Sequence, residues 1–211
     1  MKENSENPNV YAYKVILLGD SFVGKTSLIV RFCDDTFDVN GLATIGIDSK
    51  KKFVKRKDKK VELEIWDTAG QERFRSLAKN CCNSMDGIIL VFDLGNKDSF
   101  HHMKIWHQNL KDIIDFNKVG LVLVGNKCDI EKLEVGQNII EDFCKKNNMK
   151  YIEASAKINK NVSEIFTSLI DVMFKIDEET NGFYKRTKSK VGKILSAKTT
   201  EEERQRKKKC C

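Results

Sequence analysis

The 211-residue sequence contains a single proline, Pro8, so beyond that point turns must be made by Gly, Asn and Asp. No apolar run approaches the roughly 18 to 20 residues that a membrane-spanning helix needs, which excludes a helical bilayer span. Met1 to Asn9 is polar and includes Glu3 and Glu6, so a secretory leader is not expected. Lys2 follows Met1 in place of the glycine that myristoylation requires. A disulfide framework is not indicated either. The seven cysteines are an odd number, and Cys33, Cys81, Cys82, Cys128 and Cys144 lie in apolar or helical stretches, where reduced core thiols are expected. These absences together point to a cytosolic chain, soluble or peripherally attached.

What is present in excess is positive charge, 38 Lys and Arg against 31 Asp and Glu, for a net +7. The excess is local. Lys185 to Cys211 holds eleven basic residues and three acidic ones, Glu201 to Glu203, which leaves 27 basic and 28 acidic residues in the first 184. The body is therefore nearly neutral, and with 40% hydrophobic residues it can bury one core of ordinary size. The organisation expected is a flexible stretch over 1–10, a folded domain over 11–176, and a polar, basic tail over 177–211 where hydrophobic periodicity fades.

Short β-branched runs at Val15 to Leu18, Val61 to Trp66, Ile88 to Phe92, Val119 to Val124 and Tyr151 to Ile152 read as strands. Amphipathic stretches at Lys25 to Phe32, Ser99 to Ile114, Asn138 to Lys146 and Val162 to Phe174 read as helices. Their alternation predicts an α/β fold, a mostly parallel six-stranded sheet with helices on both faces and ligands at the C-terminal strand edge. Between Ile47–Val54 and Val61–Trp66 there is no room for a helix, so these form an antiparallel hairpin that makes one edge strand. Eight cations against Asp58 lie in Lys50 to Lys60, and lysines on an edge strand discourage edge-to-edge pairing.

Three motifs carry chemistry. Gly19-Asp20-Ser21-Phe22-Val23-Gly24-Lys25-Thr26 follows the first strand and opens the first helix at Ser27, the context of a phosphate-binding P-loop. Its backbone N–H groups and the helix N-terminus supply partial positive charge, Lys25 a cation for the β- and γ-phosphates, and Thr26 a hydroxyl for Mg²⁺. Trp66-Asp67-Thr68-Ala69-Gly70-Gln71 ends a strand with an acid that can reach the same metal and a glycine free to approach the γ-phosphate. Asn126-Lys127-Cys128-Asp129 presents a carboxylate that can accept from guanine N1–H and the 2-amino group, and Ser155-Ala156-Lys157 would close the base pocket.

In order and spacing these motifs resemble the Ras-like small GTPases over about Tyr13 to Phe174, and within them the Rab family. Trp66 to Ser76 is similar to the Rab second switch, Thr44-Ile45-Gly46-Ile47-Asp48 to the first, and the chain ends in the double cysteine that Rabs prenylate. The resemblance implies a P-loop NTPase fold that binds GTP or GDP with Mg²⁺ held by Thr26, Thr44 and Asp67. It implies that Phe37 stacks on guanine, that the Thr44 backbone and Gly70 meet the γ-phosphate, and that Gln71 orients the attacking water. Intrinsic hydrolysis is expected to be slow, because no arginine in the motifs can act as a built-in finger and Arg73 reads as a switch residue. Expected partners are an exchange factor, a GTPase-activating protein, a GDP-dissociation inhibitor, a Rab escort protein and GTP-dependent effectors, around a monomeric switch of vesicle traffic.

The pattern also departs from the family. Phe22 stands where Rabs carry a small residue, and a bulky side chain there must point away from phosphate. Ser49 and Cys81 replace two of three aromatics that form the usual effector surface, leaving Trp66, so altered effector choice is expected. A hydrolysis-deficient, GTP-dependent scaffold is the alternative reading, opposed by Gln71. Phe32-Cys33-Asp34-Asp35-Thr36-Phe37-Asp38 and Tyr151-Ile152-Glu153-Ala154-Ser155 are most similar to the Rab-eighteen group, associated with endoplasmic reticulum and lipid droplets; the Golgi is a further possible site. Geranylgeranyl groups on Cys210 and Cys211 beside the basic run Arg204 to Lys209 would anchor the chain to a cytoplasmic membrane face. Nucleic acid is not an expected partner, since the tail offers only Phe183 and Tyr184 as stacking platforms.

Overall fold

The computed structural model describes residues 10–39, 41, 44, 46–68 and 82–180. Among them the chain forms β1 (Val10–Leu18), α1 (Lys25–Asp34), β2 (Ile47–Arg56), β3 (Lys59–Thr68), β4 (Gly87–Asp93), α2 (Lys97–Lys111), β5 (Gly120–Asn126), α3 (Gln137–Lys146), β6 (Lys150–Glu153) and α4 (Val162–Glu179). The strands make one six-stranded sheet in the order β2-β3-β1-β4-β5-β6. Only β2 runs antiparallel to its neighbour. The expected architecture and edge hairpin are therefore present.

Successive side chains of a strand point to opposite faces, and the central strands, apolar at every position, feed two cores. Val15, Leu17, Ile89 and Val91 face Leu28 and Phe32 of α1 and Ile165, Phe166 and Leu169 of α4. Ile16, Leu18, Ile88, Leu90 and Phe92 face Phe100, Met103, Trp106 and Leu110 of α2 and Ile140 and Cys144 of α3. Helices thus cover both faces, and all loops that leave the C-terminal ends of the parallel strands collect at one edge.

Several boundaries differ from the expectation; β1 begins at Val10, within the stretch expected to be flexible. Helix α2 starts at Lys97, before Ser99, because the Asn96 side chain accepts hydrogen bonds from the N–H groups of Asp98 and Ser99 and so caps the first turn. It ends at Lys111, and Ile114 lies beyond it. The last helix does not stop where apolar periodicity fades: it continues to Glu179, and Tyr13 Oη donates to Asp177 Oδ2 at 2.5 Å. Position 177 thus belongs to the folded body and not to the tail.

The basic hairpin is anchored by its own cations. Lys50 pairs with Asp34 at the end of α1, Lys52 donates to the Phe32 carbonyl, and Arg56 and Lys57 both meet Asp171 of α4. Lys59 lies over the rings of Tyr11 and Phe174, at 4.8 and 4.7 Å from their centroids. Part of a cluster that reads as edge protection therefore holds the edge hairpin to the helices behind it.

The thiols of Cys33, Cys128 and Cys144 are in no disulfide. Burial pushes Cys33 and Cys128 up and Cys144 up to about 11, which keeps them protonated and inert at neutral pH. Cys81 lies outside the described residues.

Candidate functional site

The loop from Gly19 to Gly24 joins β1 to α1 under close steric constraint. Gly19 has φ +146°, and a Cβ there would sit 2.1 Å from the Val91 carbonyl oxygen of β4; at Gly24, φ +94°, it would sit 2.3 Å from Asn126 Nδ2. Both glycines are required by close backbone approach. Phe22 also lies in the left-handed region, φ +64°, and the residue is 72% exposed at the rim of the loop. Helix α1 has no side-chain N-cap and no acid in its first turn, so its leading N–H groups are left for an anion. Lys25 is 5% exposed and folds back to donate to the carbonyls of Gly19 and Asp20 at 2.9 and 2.8 Å. Burial pushes its ammonium down to about 8 against the opposing pull of Asp67 and Asp20, and a phosphate would relieve that penalty.

Beside Lys25, Thr26 and Thr44 bring their hydroxyl oxygens to 2.5 Å of each other. Thr26 Oγ1 donates to Asp67 Oδ2 at 2.6 Å, and Thr44 Oγ1 lies 3.3 Å from the same oxygen. Burial pushes the Asp67 carboxyl above its usual range, with Thr26 and Lys25 opposing, and Asp67 Oδ1 is buried without a hydrogen-bond partner. Among the described residues no three His, Cys, Asp or Glu side chains converge on a metal. One carboxylate, two hydroxyls and an unpartnered buried oxygen instead suit a hard cation that completes its shell with water and substrate phosphates, as Mg²⁺ does.

The base pocket is assembled from three loops. Asn126 at the end of β5 donates from Nδ2 to the Val23 carbonyl at 2.8 Å and accepts from Ala156 N–H at 3.3 Å, tying the P-loop to the loop after β6. Lys127 takes φ +65° and its Nζ lies 2.7 Å from Asp93 Oδ2. Ser155 Oγ donates to Asp129 Oδ1 at 2.5 Å, which orients the carboxylate, and Lys157 Nζ stands 3.8 Å from its other oxygen.

One cavity of about 540 Å³ unites these pieces. Ser21, Phe22, Gly24, Lys25, Thr26 and Ser27 line it from the P-loop and α1, Phe37 and Thr44 from the segment after α1, and Asn126, Lys127, Asp129, Ser155, Ala156 and Lys157 from the base loops. Val23 is buried beneath the loop and Asp67 behind Thr26. Gly70, Gln71 and Arg73 lie outside the described residues, as do Cys210 and Cys211.

Sequence motifs did not indicate several supporting residues. Asp20 meets His102 Nδ1 at 2.5 Å and Trp106 Nε1 at 3.5 Å, so α2 braces the P-loop. Asp93 holds Lys127, and Arg31 reaches the loop after β6. Each acts through a contact distant in sequence, which motif spacing cannot reveal.

Comparison with known proteins agrees with this geometry. The model of a family described as "Ras family" matches residues 14–175. The chain is 40% identical over 173 residues to Ras-related protein Rab-8B of Bos taurus, covering 81% of this chain and 83% of that protein. It is 39% identical over 168 residues to Ras-related protein Rab-3D of Homo sapiens (77% and 74%) and 38% identical over 177 residues to Ras-related protein Rab-3A of Homo sapiens (82% and 78%). Identities this similar across Rab-8 and Rab-3 relatives do not select a subgroup.

Proposed function

The chain belongs to the Ras family as a Rab-type small GTPase of vesicle trafficking that binds guanine nucleotide and hydrolyses GTP, and on that premise we propose that it is a switch cycling between GTP- and GDP-bound forms on a membrane. The observation that carries the proposal is the meeting of Thr26, Thr44 and Asp67. A threonine of the first switch segment is held on the P-loop hydroxyl and the strand-end acid, where it would sense a nucleotide's phosphates. Loss of the γ-phosphate would free that segment, and effectors would read the difference.

Mg²⁺ at Thr26, Thr44 and Asp67 would neutralise charge on the β- and γ-phosphate oxygens. Lys25 exchanges its two loop carbonyls for phosphate oxygens and is thereby kept protonated. The Gly70 N–H donates to the γ-phosphate, and Gln71 orients the attacking water. The work of the site is positioning and charge neutralisation. Phe37 stacks on the guanine that Asp129 selects, with Ser155 fixing the acceptor oxygens. Hydrolysis by the isolated chain is slow and is accelerated by an activating protein; an exchange factor, a dissociation inhibitor and an escort protein complete the cycle.

We place the domain over residues 10–179, and the tail beyond it carries geranylgeranyl groups on Cys210 and Cys211. Among the described residues no helix is long and apolar enough to cross a membrane, so lipid and the basic run supply the affinity. The compartment proposed is the endoplasmic reticulum, the Golgi or a lipid droplet, with a Rab-eighteen-like subgroup. Ser49 lies opposite Trp66 in the β2–β3 register, which supports the reading that the two share a surface that differs in effector choice.

Single-turnover GTP cleavage tests the switch. The wild-type chain should cleave slowly, within minutes to hours, and faster with an activating protein, whereas Gln71→Leu should hold GTP and capture partners that Thr26→Asn does not. Equal cleavage by wild type and Gln71→Leu would remove Gln71 from the mechanism. Fast cleavage by the isolated wild type would overturn the need for a partner.

A further inference from the structure

Arg31 lies in the last turn of α1, outside every nucleotide-binding motif, yet its side chain is only 15% exposed. Its guanidinium spans two walls of the cavity. Nε donates to the Ala156 carbonyl at 2.9 Å and Nη2 to the Lys157 carbonyl at 3.3 Å, both in the loop expected to close over the base. Nη1 donates to the Asp35 carbonyl at 2.9 Å and lies 3.4 Å from the Asp35 carboxylate, at the turn that leads to Phe37. The guanidinium carbon stands 6.0 Å from the centre of the Phe37 ring.

We propose that Arg31 is a positioning residue that sets the width of the guanine site, strapping the loop of Ala156 and Lys157 to the segment that carries Phe37. The inference rests on the reading of this cavity as a guanine-nucleotide site. A planar fork with five donors can hold three carbonyls at once, which a lysine ammonium on a flexible stem cannot do with the same rigidity. The fork also fixes peptide orientation. In a planar trans peptide the N–H points opposite to the C=O, so a carbonyl of Ala156 held by Arg31 turns the Lys157 N–H away from it. Ala156 N–H is fixed separately by Asn126 Oδ1, and Asn159 Nδ2 donates to Asp35 Oδ1 at 3.1 Å, a second tie between the same two segments. Displacement of the Phe37 segment would therefore pull on the base-closing loop, so that opening one wall loosens the other.

The test compares full-length wild type, Arg31→Gln and Arg31→Lys, each loaded with a fluorescent GDP and chased with excess GDP in Mg²⁺. Arg31→Gln should release nucleotide roughly 10- to 100-fold faster, the loss of two or three charge-assisted hydrogen bonds, and Arg31→Lys should fall between it and wild type. A further readout separates positioning from general destabilisation. Preference for GDP over inosine diphosphate, which lacks the 2-amino group, should shrink in Arg31→Gln, whereas general destabilisation would speed release of both nucleotides alike. Release by Arg31→Gln within twofold of wild type overturns the proposal. If that variant does not fold, Arg31→Lys decides in the same way. Faster release with unchanged base preference also overturns it, assigning Arg31 to general stability. Failure of wild type to bind GDP at all would overturn the nucleotide-site reading itself, a distinct result.

Discussion

Acid should destabilise this protein through one buried histidine, His107. The residue is 2% exposed on α2, its Nε2 has no hydrogen-bond partner, and its ring stacks on Phe116 at 5.2 Å and meets Phe143 edge-on at 5.3 Å. Burial, with a smaller push from Lys111, drives the imidazole down to about 4 from 6.5. The sign follows from proton counting. Below 6.5 the unfolded chain takes a proton that the folded chain refuses, so stability present above 6.5 is lost as pH falls toward 4. Integrating between these values gives a loss of about 2 kcal/mol between pH 7 and pH 5 and about 3 kcal/mol by pH 4. In a domain of this size the loss at pH 5 corresponds to roughly 4 to 8 °C in melting temperature. The assay is urea unfolding of the full chain at pH 7 and pH 5, with GDP and Mg²⁺ fixed so that ligand linkage is common to both proteins. His107→Leu retains apolar volume and removes the titration, while all carboxylates titrate as before. Wild type should lose about 2 kcal/mol more than His107→Leu on acidification. Equal losses, within about 0.5 kcal/mol, would refute the reasoning and place water or a partner on Nε2.

Two other perturbations address the site directly. Phe22→Gly should stabilise the chain by about 0.5 to 1 kcal/mol, since relief of the left-handed backbone exceeds glycine's extra freedom when unfolded and an exposed ring loses little packing. Phe22→Ala keeps the strain, so equal urea midpoints for the two variants would show that backbone strain is not the cause. Asp67→Asn should raise the melting temperature in EDTA by a few degrees, because an uncharged amide replaces a carboxylate whose ionised form burial disfavours, while weakening Mg²⁺-dependent GTP binding at least about tenfold. The raised carboxyl makes the sign explicit: the variant's advantage in EDTA should grow as pH rises above the ordinary carboxylate range and vanish in acid. A lower melting temperature for the variant at neutral pH would contradict this.

Much of the site is legible in the sequence alone. Gly19, Gly24, Lys25 and Thr26 are contiguous, and their chemistry needs a strand before them and a helix after, which local pattern supplies. Asp67 is the penultimate residue of β3 and Asn126 the last of β5, and parallel strands deliver their C-terminal ends to one edge. The boundaries that moved did so for reasons that periodicity does not encode. Asn96 capped α2 by side-chain hydrogen bonds three residues before the apolar pattern began, and Tyr13, 164 residues away, held Asp177 in a helix whose sequence there is polar.

The linear order of residues thus determined the motifs, the alternation of strands and helices, and the separation of a neutral body from a basic end, because each depends on neighbours within a few positions. Tertiary structure alone decided which groups support those motifs. His102 and Trp106 reach Asp20 across more than 80 residues, and Arg31 reaches Ala156 across 125. Packing of α2 against one face of the sheet and α1 beside α4 on the other brings them within hydrogen-bond distance, and no spacing rule along the chain carries that information.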